Sequence, residues 1–171
     1  MKDHGMDIYG LVSELFPICR SITGDGVRKS LKIISKNIPL KVTEVPSGTR
    51  CFDWVVPPEW NIRDAFIANM KGERLVDFRR SNLHVLGYSG PIKGDFSLDE
   101  LKEHLYCDEK HPAAIPYLTS YYQRRWGFCL SKYEYDRLAR GTYHVEIDSS
   151  FNENGSLTYA EAYIPGKSRK E

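Results

Sequence analysis

Thr142–Pro165 reads TYHVEIDSSFNENGSLTYAEAYIP, and its alternation decides the fold class. From Tyr143 onward, Tyr143, Val145 and Ile147 take turns with His144, Glu146 and Asp148, the period-two pattern of a strand with one buried face. Asn152-Glu153-Asn154-Gly155 supplies turn residues, and alternation resumes through Leu157 and Tyr159. The stretch predicts a β-hairpin from Tyr143 to Ile164, followed by a charged tail, Lys167–Glu171, that has no apolar partner of its own.

Working outward, the segments before this hairpin mix both periods. Ile8, Leu11, Val12, Leu15 and Phe16 recur at three- and four-residue steps, which predicts a short amphipathic helix that Pro17 ends. A second helix is expected from Asp25 to about Lys36, with Thr23 or Asp25 as its cap. From Leu40 the pattern turns to short β-prone runs: LKVTEV, RCFDWVV, then DAFIANM and ERLVDF around a Lys71-Gly72 turn. Pro46, Pro57, Pro58 and Pro91 punctuate them, so these strands should be short or lie at edges. Ser97 with Glu100 three residues on forms a capping-box pattern ahead of a helix expected over Leu98 to Tyr106. SKYEYDRLARG reads as one more helix, ended by Gly141. The fold class is therefore α/β, a mixed α+β chain as it stands.

Composition excludes several classes. With 171 residues, 41% hydrophobic and 27% charged, the chain has the makings of one domain or two small ones. Twenty-four Lys plus Arg against 23 Asp plus Glu leave a net charge of +1, so no whole-molecule field draws in nucleic acid or anionic lipid. No run approaches the ~20 apolar residues of a membrane span, and charge interrupts the N-terminus, so the chain reads as cytoplasmic. Its four cysteines form no CxxC pair and read as reduced, mostly buried thiols.

Local motifs carry little chemistry by themselves. His104, Cys107, Asp108 and His111 have the best metal-ligand spacing, yet Glu103 and Lys110 mark a solvated helix end and Pro112 redirects the chain. Gly87-Tyr88-Ser89-Gly90 misses the nucleophile elbow because Pro91 follows, which favours a turn. Gly24-Asp25-Gly26 stands before a helix, but Asp25 repels phosphate and the P-loop Lys is absent. Asp53, Asp77 and Asp148 sit in or beside predicted strands without a visible partner. Tyr121, Tyr122, Arg125 and Trp126, with Tyr117, Arg124 and Phe128 around them, form a mixture that stacks on a sugar or peptide, or else fills a core and leaves its arginines outside.

Several blocks together do carry a resemblance: LFPICRSITGDGVRKSL, IPLKVTEVPSGTRCFDWVVPPEWNIRDAFI, NLHVLGYSGPI, AIPYLTSYYQRRWGFCLS and GTYHVEIDSSFNENGSLTYAEAYIPGK. In this order they resemble the N-terminal part of a bacterial family of zinc-aminopeptidase-like proteins, described as polysaccharide-biosynthesis proteins with an aminopeptidase-like domain. The similarity covers nearly all 171 residues. It implies an incomplete aminopeptidase-like core carrying an inserted small β-rich domain. Residues 1–45 would be the opening helices and first strand of that core, 46–140 mostly the insertion, and 141–171 the first core hairpin.

The resemblance also implies what to expect of the chemistry. In the family, the zinc ligands lie in Cys-His-Pro and Asp-Asn segments beyond the strand that follows IPGK, so none carries over onto a position here, and no catalytic residue is assigned. His84, His104, His111 and His144 belong to different blocks and do not substitute for them. Zinc is expected in the full-length family and no cofactor in this chain. Arg20, Thr23 and Asp25 are the weak candidates for a substrate cleft, because similar Arg- and Gly-rich openings precede the second helix in related zinc aminopeptidases. The reading that follows is the N-terminal region of a zinc-dependent hydrolase, inactive in isolation. The alternative is a standalone module that binds carbohydrate or peptide through Tyr121, Tyr122, Arg125 and Trp126. A hairpin without further strands would leave an unpaired edge and an uncovered face, open to self-association or to a complementing chain. Neither a nucleic-acid nor a membrane partner is expected.

Overall fold

A computed structural model describes residues 4–166, so the Lys167–Glu171 tail lies outside the described residues. The chain divides into two units, Met1–Glu59 with Glu153–Glu171 (unit 1) and Trp60–Asn152 (unit 2). These boundaries fall later than the 45/46 and 140/141 divisions expected from the sequence. The reason is strand pairing: the strand after Gly141 joins the sheet of the middle segment.

In unit 1, α1 (His4–Leu15) and α2 (Asp25–Ile34) precede β1 (Lys41–Pro46), which pairs antiparallel with β10 (Ser156–Glu161). The short runs Arg50–Cys51 (β2) and Trp54–Val55 (β3) form a two-rung ribbon whose turn holds Phe52 at φ 55°. The cap of α2 differs from expectation. Gly24, at φ 86° and ψ −179°, occupies the cap without a side-chain bond, a conformation only glycine adopts readily. Thr23 is instead 1% exposed and its backbone bridges Leu157, while Asp25 opens the helix, where the dipole favours its charge. Gly26 has a second constraint: a Cβ there would stand 1.9 Å from the Cys19 carbonyl oxygen, so the loop closes only over a hydrogen. Ile33 and Val56 are buried, whereas Ile8 and Val12 of α1 and Phe16 just past its end, at i, i+4, i+8, are exposed apolar side chains.

Unit 2 is built on a four-stranded sheet of order β5-β4-β9-β6, from β4 (Trp60–Asn69 of the strand that starts at Glu59), β5 (Arg74–Asp77), β6 (Ile92–Ser97) and β9 (Thr142–Asn152). Alternation along β9 is as read: Tyr143, Val145, Ile147 and Ser149 are buried, and His144, Glu146 and Asp148 face out. Each fully buried apolar side chain of this kind contributes roughly 1.5–3 kcal/mol. Ala65 and Ile67 of β4 join them in a core with Leu86, Tyr88 and Phe128.

The expected hairpin does not form. β9 lies between β4 on one side and, over Thr142–Ile147, β6 on the other, whereas β10 pairs with β1 in a different sheet. Of the hairpin Tyr143–Ile164 expected to carry an unpaired edge, the stretch Thr142–Ile147 is covered by β6. The helix expected from Leu98 to Tyr106 is shorter as well. Its capping box is present, but α3 ends at Leu101, a 3-10 turn follows (Lys102–His104), and Leu105–Tyr106 (β7) leave to pair in parallel with Phe128–Cys129 (β8). Likewise α4 covers only Lys132–Asp136, opened by a second capping box, Ser131 with Glu134.

Candidate functional site

Three assemblies bear on function. The first is the loop between α1 and α2 that carries Arg20, Thr23 and Asp25. Arg20 is exposed and donates to the Leu15 carbonyl at the end of α1, Thr23 is buried, and the Asp25 side chain is 86% exposed beside Arg28. The residue that organises this region is Arg28, one turn further on. Its Nη1 donates to Glu59 Oε1 at 2.9 Å, its Nη2 binds Glu59 Oε2, its Nε reaches Glu44 at 3.1 Å, and Ser156 Oγ lies 3.1 Å away. Ser156 N donates to Glu59 and Thr158 Oγ1 to Glu44, each at 3.1 Å. Bonds from Ser156, then Arg28 and Thr158, hold the Glu44 carboxyl below its ordinary range, and Glu59 raises the pKa of Arg28. One guanidinium thus ties α2, β1, β10 and Glu59 together within unit 1.

The second assembly is aromatic, and the structure divides the four residues that the sequence grouped. Tyr121 packs edge-on against Tyr88 at 4.8 Å and contacts Tyr122 at 6.5 Å. Trp126 instead lies flat on His104, centroids 3.6 Å apart, and contacts Phe96 at 5.3 Å, while Arg125 stands 6.0 Å over Tyr106. Tyr122, at 63%, is the most exposed ring of the two groups' candidates. Tyr88 sits at φ 64° and stacks on Trp60 at 5.5 Å. Its neighbour Ser89 is fully buried: Oγ donates to the Leu86 carbonyl at 2.6 Å and accepts from Gly127 N at 3.2 Å, and its carbonyl accepts from Trp60 Nε1 and Ser149 Oγ. A hydroxyl so engaged is a knot in the core and has no access to a substrate.

The third assembly was not legible as a site in the sequence. A groove of about 440 Å³ lies on the outer face of the four-stranded sheet, among Phe66, Ala68, Asn69, Met70, Gly72, Arg74, Asp95 and His144. Asp95 of β6 is the register partner of His144 of β9, and its Oδ1 lies 2.7 Å from His144 Nδ1. The Arg74 guanidinium stands 3.8 Å over the Phe66 ring and is bound by Asp64 and Asp77, at 3.0 and 3.2 Å. Outward position in the alternation TYHVEID was the only signal for His144, and nothing local linked it to a strand about fifty residues earlier.

His84, His104 and His111 are engaged separately. His84 is 4% exposed with Nδ1 2.9 Å from the Cys129 carbonyl, His104 Nδ1 bonds the Trp126 carbonyl at 3.1 Å, and His111 pairs with Asp108 at 2.8 Å. Among the described residues no group of three or more His, Cys, Asp or Glu is placed to hold a metal ion. The described residues do not bring together the ligands of a zinc centre. No helix among them is long and apolar enough to cross a membrane.

Comparison with known proteins adds the lineage. The family described as "Domain of unknown function (DUF2172)" matches residues 59–150, the span that builds unit 2. The chain belongs to this family. Over 170 residues it is 54% identical to a Clostridium acetobutylicum protein provisionally named a polysaccharide biosynthesis protein with an aminopeptidase-like domain, covering 99% of this chain and 39% of the relative. A crystal structure from C. acetobutylicum, provisionally named a peptidase, superimposes with a TM-score of 0.90 at 54% identity, over 96% of this chain and 39% of that one. The DUF2172 chain described here therefore spans about two fifths of the length of the relatives it matches.

Proposed function

We propose that this chain is the N-terminal region of a zinc-dependent aminopeptidase-like hydrolase, that it supplies scaffold and part of a substrate cleft, and that it is non-catalytic in isolation. The observation that carries the reading is the 54% identity over 99% of the chain to a protein named for an aminopeptidase-like domain, of which it matches 39%. The dispersal of His84, His104, His111 and His144, each tied to a different local partner, agrees with ligands supplied from elsewhere in the polypeptide. The exposed apolar side chains Ile8, Val12 and Phe16 agree with a unit whose apolar surface is covered in a longer protein. The working location is the cytoplasm, with a peptide or sugar as substrate class.

The test is a pair of assays with zinc and a panel of aminoacyl reporter substrates. The isolated chain should show no chelator-sensitive turnover, and a chimera joining it to the rest of the C. acetobutylicum relative should show it. Turnover by the isolated chain, abolished by a chelator, contradicts the reading, as does an inactive, folded chimera alongside an active parent.

A further inference from the structure

We infer that this chain associates head to tail with a second copy of itself, Phe52 at the tip of the β2–β3 ribbon seating in an apolar pocket at the far end of the β1–β10 pair. Every residue involved lies in unit 1, and the inference goes beyond the hydrolase reading without drawing on it.

The ribbon presents one ring. Cys51 and Trp54 form its last rung, so Phe52 and Asp53 make a two-residue turn in which Phe52 alone has a positive φ, 55°, the pattern of a II′ turn. Glycine is the residue that suits this position, because a Cβ there crowds the backbone. Phenylalanine holds it at a cost in stability, and with Phe52 91% exposed, contacts in its own unit offset little of that cost. The turn is nonetheless fixed. Arg50 Nε donates to the Phe52 carbonyl at 3.2 Å, and at the base Gly48 N donates to the Val56 carbonyl and Val56 N to the Thr49 carbonyl, at 2.8 and 2.9 Å. Strain kept in a braced turn whose ring points at solvent marks a knob for another molecule.

The opposite end of β1 supplies the receptor. Pro39, Leu40, Ala162 and Tyr163 surround a pocket of about 570 Å³, with Lys41 and Glu161 beside them. Lys41 and Glu161 are the register partners that close this end of the pair, whereas the ribbon departs just beyond Pro46 at the other end. Six residues of strand, roughly 17 Å, separate the two ends.

Charge selects the occupant. Arg50 and Asp53 flank the knob, Lys41 and Glu161 flank the pocket, and none of the four forms an ion pair among the described residues. Arg50 against Glu161 and Asp53 against Lys41 match opposite signs twice around one aromatic anchor. Both halves of this complement are carried by the same chain, so the occupant is a second copy. Knob and pocket are different surfaces, which makes the contact heterologous: each added copy leaves a free knob and a free pocket, and association runs on into rings or rows of chains. A ribbon tip covers less than the ~1,200 Å² of a standard interface, so the association is weak and depends on concentration.

The experiment is sedimentation equilibrium of the full 171-residue protein under reducing conditions, which keep the exposed Cys51 from cross-linking chains. Between ~10 μM and ~1 mM, the range that reads weak affinities, the average mass should rise from the 19.7 kDa of one chain without a plateau at twice that value. Phe52→Gly, which φ 55° accommodates, should weaken association about tenfold or more, as removal of an aromatic anchor does. Ala162→Asp places a charge in the pocket from an exposed position and should weaken it similarly. Circular dichroism and thermal melts check that both variants fold. Mixed in equal amounts, the Ala162→Asp chain keeps its knob and the Phe52→Gly chain keeps its pocket, so the pair should form a one-to-one dimer and stop there. The inference is overturned if the wild type stays at 19.7 kDa throughout, if folded Phe52→Gly associates as the wild type does, or if the mixture remains monomeric.

Discussion

Arg28 and Glu59, 31 positions apart in the sequence, meet as a two-pronged ion pair in which the Arg28 side chain is 30% exposed and the Glu59 side chain only 10%. Sequence spacing gives no hint of it; the pair closes only when α2 and the residue that opens β4 are both in place within unit 1.

Breaking that pair from one side should be costly. Arg28→Met leaves a largely buried carboxylate uncompensated and should destabilise unit 1 by roughly 2–4 kcal/mol, while Arg28→Met with Glu59→Leu should recover much of the loss. Urea denaturation of the two variants, read by circular dichroism, decides it. Equal losses in both would show that the stranded Glu59 carboxylate is not what the single substitution costs.

The same cluster sets an acid limb. Hydrogen bonds from Ser156, Arg28 and Thr158 lower the folded-state pKa of Glu44. A depressed carboxylate adds stability above its unfolded value, about 4.3, and that contribution is lost as pH falls through the lower folded value. Glu44→Gln should therefore flatten the dependence of stability on pH below about 4.3 while leaving its shape near neutrality unchanged. An unaltered acid limb in pH-dependent thermal melts would refute this.

Two glycines should respond in opposite directions. At Gly26 an added Cβ stands 1.9 Å from backbone, so Gly26→Ala should destabilise by roughly 1–3 kcal/mol or more. Nothing lies within 4 Å of a Cβ at Gly10, in the middle of α1, and Gly10→Ala should stabilise by up to about 1 kcal/mol. Melting temperatures that move together would show the Cys19–Gly26 approach to be slack.

Thiol reactivity should rank by burial. Cys51 is exposed, whereas burial pushes the thiols of Cys19 and Cys129 up to about 11, so little thiolate forms near pH 8. Iodoacetamide followed by mass spectrometry should label Cys51 first and Cys129 only after unfolding. Early labelling of Cys129 would mean that the β7–β8 region opens readily.

How far the sequence could be read follows from how local each signal is. The outward and inward positions of β9 and the Ser97–Glu100 capping box depend on a few neighbouring residues, and both stand in the structure. The same serine-to-glutamate spacing at Ser131 and Glu134 was there to be read and opens α4. Strand partners are another matter. Alternation fixes a strand's faces, not its neighbours, so NENG looked like a hairpin turn although β9 pairs with β4 and β6 and β10 with β1. Helix ends failed for a related reason, because Leu105 and Tyr106 find β8 partners more than twenty positions away. The groove assembles Phe66, Arg74, Asp95 and His144 from four strands, and no window of sequence contains them together.

The most direct test of the central claim is the zinc stoichiometry of the purified 171-residue protein, measured by elemental analysis after dialysis against zinc-free buffer. The account predicts far less than one zinc per chain. One tightly held zinc per chain, released only by a chelator, would contradict it.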